Sequence, residues 1–350
     1  MKEITFIPPM DNKLKKELEI NYGIQILRLC LSYLILQFHC YNQALTKNKL
    51  LIFLVQSFHF YVPTFYIISF YFSYKKIKVK NIYKIKLRLK RIFIPYIIWP
   101  SLFFIMNNIN IYIPKEQKYR YKDLFIQFLT GKRIYDSFWY LCNLILTNIL
   151  FSIISLLTEN NFLICIQLIG IAGSLYYSYH YYNNLFINYI IEISSLIKDF
   201  SKVLFYGAIG ITLSSIKAIK TLINYRKRVV CFCIYILYLI RDFQILKESF
   251  LYLRCLLFGI GSTILFILFA ILPLENIKNK TIHIFIINLT KYSGGIYYLH
   301  LKIRELLYNK ILLIKNGNLV GCFLIYIISY FISFLGKLFF GKTNLKFLFY

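Results

Sequence analysis

Acidic side chains are scarce in this chain. Only 14 aspartates and glutamates stand against 42 lysines and arginines, and 16% of the 350 residues are charged. With 59% hydrophobic residues and a mean hydropathy of +0.60, a soluble domain would expose too much apolar surface. Long polar stretches are also missing. The longest between apolar runs, 113–137, is too short for an appended soluble domain and reads as a lid or surface loop. None of the eight cysteines forms a Cys-x-x-Cys pair, so no metal site is expected and the thiols read as small buried hydrophobes. Alanine is sparse, and the richness in Lys, Asn, Ile, Tyr, Phe and Leu looks like an A/T-rich coding bias, which lowers the information in any single Tyr or Phe. No internal repeat is visible, which weakens an inverted-repeat transporter reading. A cleavable signal peptide is not expected either. Residues 1–20 carry mixed charge, and the first apolar run is long enough to stay in a membrane.

What is present is a succession of apolar runs from end to end. They predict an all-α polytopic transmembrane bundle of ten or eleven spans. The expected spans are 24–44, 50–72, 92–112, 138–157, 161–181, 203–217, 229–245, 249–272, 282–300 and 319–340, preceded by a cytoplasmic segment 1–23 and followed by a tail 341–350. Residues 183–198, with Glu192, are left as a surface or re-entrant segment. The formal charge of +28 is gathered in short loops, where it acts as a topology signal rather than a nucleic-acid patch. Residues 75–91 hold nine basic side chains and no acidic one, so that loop is expected in the cytoplasm, and 217–228 with it. The basic loop 301–315 then falls outside, which argues against the count of ten.

Within the first run lie Arg28 and His39, eleven positions apart. At ~100° and ~1.5 Å per residue they share one helix face, roughly 16 Å apart along the axis. Ionisable groups within hydrocarbon usually face a protein interior or a cavity. The alternative is an Arg28 that snorkels to the surface and a His39 that is a satisfied polar residue near the other surface. Arg88 and Arg91, at the end of the basic loop, are neighbours on one helical face and offer paired planar donors suited to phosphate; plain topology charge is the alternative. Pro95 is expected near the start of the following helix, with Tyr96 and Trp99 at an interface.

Four blocks then carry a resemblance. Leu27-Arg28 is followed after ten residues by His39. Next comes Val62-Pro63-Thr64-Phe65-Tyr66-Ile67-Ile68-Ser69. Arg88-Leu-Lys-Arg91 leads into Pro95-Tyr96. Late in the chain stands Tyr292-Ser293-Gly294-Gly295-Ile296-Tyr297-Tyr298-Leu299-His300, and Phe138-Trp139-Tyr140-Leu141 resembles the opening of a fourth span. Ordered in this way, the set resembles the acyltransferase-3 family of integral membrane acyltransferases, which modify sugars and other cell-surface molecules. One departure is Phe70, which follows Ser69 where the family commonly has glycine.

The resemblance implies O-acyl transfer, commonly O-acetylation, from cytoplasmic acyl-CoA to a hydroxyl of a glycan or other acceptor. His39 is then the candidate base. Arg28 is a candidate for binding phosphate or for stabilising charge on the thioester oxygen. Arg88 and Arg91 would grip the nucleotide phosphates, while Tyr298 and His300 would line the acceptor side. The expected partners are acyl-CoA, a hydroxyl acceptor and the lipid bilayer, with no nucleic acid. The plasma membrane is the expected location and an endomembrane the alternative, with a cytoplasmic N-terminus. A transporter or flippase is the competing class; it would need several acidic residues within the spans or broken helices in paired positions.

Overall fold

The computed structural model describes residues 12–40, 58–77, 82–109, 120–131, 138–158, 160–183, 191–215, 225, 228–231, 251–271, 286, 288–308, 310–311, 314 and 319–349. In chain order the helices are α1 (Asn12–Cys40), α2 (Phe58–Ile77), α3 (Ile82–Ile109), α4 (Tyr121–Thr130), α5 (Trp139–Leu157), α6 (Asn161–Asn183), α7 (Ile191–Ser215), α8 (Leu251–Ala270), α9 (Ser293–Tyr308) and α10 (Leu319–Phe340), followed by a 3-10 turn, Asn344–Leu348. No strand occurs among the described residues, in agreement with the all-α expectation. The N-terminal residues 1–11, residues 232–245 of the expected span 229–245, most of the loop 217–228, and residues 78–81 of the first basic stretch lie outside the described residues.

Among the described residues, three helices are long and apolar enough to cross a membrane, over Tyr22–Cys40, Ile85–Ile109 and Val320–Phe340; Trp139–Ser155, Leu163–Tyr179 and Leu256–Ala270 are shorter apolar stretches. Length and composition of the described residues do not by themselves confirm the ten or eleven crossings expected. The outer faces are nonetheless those of a membrane protein. Phe93, Ile97, Ile105 and Ile109 on α3, and Phe323, Ile327 and Phe331 on α10, are exposed at helical spacing. Apolar stripes of that extent are unfavourable in water and natural against lipid.

Several local expectations change. Residues 191–198 are not a separate surface segment, because they are the first turns of α7, which continues to Ser215. Lys302 and Arg304, expected in a loop, lie on α9, which runs to Tyr308. Within the stretch 113–137 stands the short helix α4, ended by Gly131 in the left-handed conformation (φ 72°), whose N–H donates to Gln127 O at 2.7 Å. Pro95 is not near a helix start either, since α3 begins at Ile82 and continues through it. Its neighbour Tyr96 pins α4 to α3, its hydroxyl lying 3.0 Å from Gln127 O and 2.8 Å from Phe128 O.

Helix α1 packs against α2, α8, α9 and α10, while α2 packs against α7, α8 and α1. The α2–α7 seam explains Phe70. Its side chain is fully buried and lies against Gly207 and Gly210 of α7; a Cβ at Gly210 would stand 2.5 Å from Ile67 O and 2.9 Å from the Phe70 Cβ. The small residues that let two helices approach closely are here on α7 rather than at position 70.

Candidate active site

Helices α1, α2, α3, α5 and α9 enclose a cavity of about 830 Å³. Its lining on α1 extends from Gln25 to His39, which at ~1.5 Å per residue is about 21 Å of helix. Arg28 and His39 both face it. Antiparallel α2 contributes Val62, Phe65, Ile68, Ser69 and Phe72, α3 contributes Arg88 and Arg91, α9 contributes Ser293, Gly294, Tyr297 and Tyr298, and Lys291 stands just before α9. Its two ends differ in character. Toward Gln25 stand the guanidinium groups and Lys291; toward Phe38 and Val62 stands the imidazole of His39 amid apolar side chains.

Arg88 and Arg91 are one turn apart, yet they are held differently. The Arg88 Nε donates to Asn148 Oδ1 at 2.8 Å, and its Nη2 reaches Ser69 O at 3.1 Å and Ser69 Oγ at 3.0 Å. One guanidinium thus ties α2, α3 and α5. Asn148 is itself oriented by its amide N–H to Leu144 O at 2.6 Å. Arg91 is exposed, with its guanidinium carbon 5.7 Å from the centre of the Phe347 ring. Arg28 and Arg88 both lie within electrostatic reach of the Tyr140 hydroxyl, and Arg28 within reach of Tyr298 as well. Tyr140 is fixed by its ring against Tyr66 at 4.5 Å and against Tyr297 at 5.6 Å.

At the other end, His39 meets His300 across α1 and α9, ring centres 5.3 Å apart. His300 is not part of the cavity lining; it is 1% exposed and stands behind His39. Its Nδ1 lies 3.2 Å from Ile296 O. A ring nitrogen facing a carbonyl must carry the proton, so Nε2 holds the lone pair in the neutral ring. That Nε2 is buried with no hydrogen-bond partner among the described residues. Arg304, one turn further along α9, stacks over Tyr308 at 5.8 Å and sits within electrostatic reach of both histidines.

The structure therefore brings Arg28, His39, Arg88, Arg91 and Tyr298 around one cavity and sets His300 just outside it. Sequence reasoning missed Ser69 and Asn148 as the holders of Arg88, and Tyr140, Tyr297, Lys291 and Phe347 as lining. Ser69 and Tyr140 fell inside recognised blocks but were not given a role. Phe347 and Asn148 carried no signal, since a lone aromatic or amide in an apolar run is ordinary.

A helical bundle with lipid-type outer faces and a largely apolar cavity that carries cations at one end fits a membrane protein with an internal site. The chain belongs to the acyltransferase-3 family, whose model, described as an acyltransferase domain, matches residues 21–339. The match takes in every cavity-lining segment except the 3-10 turn. Comparison with the curated proteins and with the solved structures finds no match.

Proposed function

We propose that the protein moves an acyl group, in the first instance acetyl, from cytoplasmic acyl-CoA to a hydroxyl of a glycan or other cell-surface acceptor. The observation that carries this reading is one elongated cavity with cationic side chains at one end and His39 near the other. Its shape suits a donor that is long, anionic at one end and reactive at the other. The basic stretch 75–91, which takes in the end of α2 and the start of α3, favours the cytoplasm for the cationic end, where acyl-CoA is found, with the N-terminus on the same side. This is the orientation expected in the plasma membrane.

In the reaction, His39 accepts the proton of the acceptor hydroxyl as its oxygen attacks the thioester carbon. Negative charge gathers on the thioester oxygen and is stabilised by polar groups of the site at that end; Arg28, with the other guanidinium groups at the opposite end, binds the donor's phosphates. When the tetrahedral intermediate collapses, the C–S bond breaks, and the CoA sulfur leaves and takes the proton from the His39 imidazolium. Ester and thiol are the products, and the histidine returns neutral. Arg91, Lys291 and Arg88 face the donor's phosphates, and Tyr298 contributes to the wall along the reacting centre.

Incubation of the purified protein with labelled acetyl-CoA and a panel of glycans tests this. Acceptor-dependent release of CoA thiol, with label in the acceptor, supports the reading. A folded protein that releases no thiol with any hydroxyl acceptor contradicts it.

A further inference from the structure

The sequence reads residues 341–350 as a tail, and they lie beyond the family match. Residues 341–349 instead dock into the body of the molecule. Phe347, Leu348 and Phe349 are all buried. The Trp99 Nε1–H donates to Leu348 O at 3.2 Å. The Phe349 ring stacks on Phe340 at 5.9 Å and meets Trp99 edge-on at 6.1 Å. It also presses so closely on Gly336 of α10 that a Cβ there would collide with its ring. These anchors fix the segment across α3 and α10. Held in this way, Phe347 forms part of the cavity wall, with the Arg91 guanidinium over its ring.

We propose that residues 341–349 are a strap that completes the donor end of the cavity, and that Phe347 is a positioning residue that holds Arg91 toward the donor's phosphates. This rests on the acyl-CoA reading above. Arg91 is exposed, and a long side chain left to itself samples many rotamers. An aromatic face beneath the guanidinium restricts that sampling while leaving the fork of N–H donors free to meet phosphate. The strap's role is confined to the cationic end, because Phe347 lies with Arg91 and away from His39.

The test compares wild type, Phe347→Leu, Phe347→Tyr and a chain ending at Lys342. Leucine keeps apolar bulk but loses the aromatic face; tyrosine keeps the face. Two readouts are taken. Phenylglyoxal modification of Arg91, followed by mass spectrometry with exposed Arg120 as internal control, reports the contact without any donor. Equilibrium binding of acetyl-CoA and of acetyl-pantetheine, which lacks the phosphates, reports its consequence. The expected result is faster Arg91 modification in Phe347→Leu and in the shortened chain. Acetyl-CoA affinity should fall about 3–10-fold, with acetyl-pantetheine affinity unchanged and Phe347→Tyr close to wild type. An unchanged Arg91 rate overturns the strap whether or not acyl-CoA is the donor. Equal loss of both ligands overturns the positioning role, since a general packing defect would do that. Faster Arg91 modification in a protein whose wild type binds no acetyl-CoA keeps the contact but overturns its donor role, and with it the function proposed above.

Discussion

Arg88 and Arg91 show how far residue type and spacing reach. Arg-x-x-Arg spacing reads as one phosphate grip, and both side chains do face one cavity. Only Arg88, however, carries three hydrogen bonds to neighbouring helices. Sequence spacing places two side chains on one helical face, but the depth to which each is buried depends on partners that arrive from other helices, here Ser69 and Asn148. Hydrogen bonds to a charged group contribute about 1.5–3 kcal/mol each. Arg88→Ala is therefore expected to lower the thermal midpoint in detergent as well as acetyl-CoA affinity. Arg91→Ala should weaken affinity with little change in the midpoint. Equal midpoints for the two variants would show that Arg88 does not tie the helices together. Arg28→Lys keeps the charge but loses the planar fork, so transfer and acetyl-CoA affinity should both fall. Unchanged affinity there would remove Arg28 from donor binding.

Among the elements, the α2–α7 seam makes a sharp stability prediction. Gly210→Ala sets a methyl group against the Ile67 carbonyl, and overpacking of this kind costs about 1–3 kcal/mol. Gly170 on α6 has nothing within 4 Å of the same position, so Gly170→Ala should be neutral or slightly stabilising. Thermal unfolding of the two variants side by side separates close packing from helix propensity; a Gly210→Ala protein as stable as wild type would mean the seam is looser than described. Most helices were legible because their apolar runs are long. The misread stretches share one cause, which is charge within a helix. Asp199 pairs with Lys202 at 3.3 Å in α7, and Lys302 with Glu305 at 2.9 Å in α9. Partners three residues apart on one helix offset each other's charge, so these segments stay helical where a hydropathy reading ends a span.

For the whole molecule, the all-α class and the family were legible from ordered blocks, whereas the cavity was not, because it is made by five helices far apart in sequence. Its orientation is open to test by placing a cysteine at Lys80 in a cysteine-depleted chain. That cysteine should resist an impermeant maleimide in intact cells, and rapid labelling would reverse the route assigned to the donor. The central claim is that His39 takes the acceptor's proton at the far end of a cavity whose donor grip lies elsewhere. The most direct measurement is single-turnover acetyl transfer beside equilibrium acetyl-CoA binding for His39→Gln, which keeps polarity and much of the volume. Transfer should fall ~10²–10⁴-fold, as for removal of a general base, with acetyl-CoA affinity close to wild type. Transfer near the wild-type rate would contradict the account and return His39 to a satisfied polar residue of the helix face.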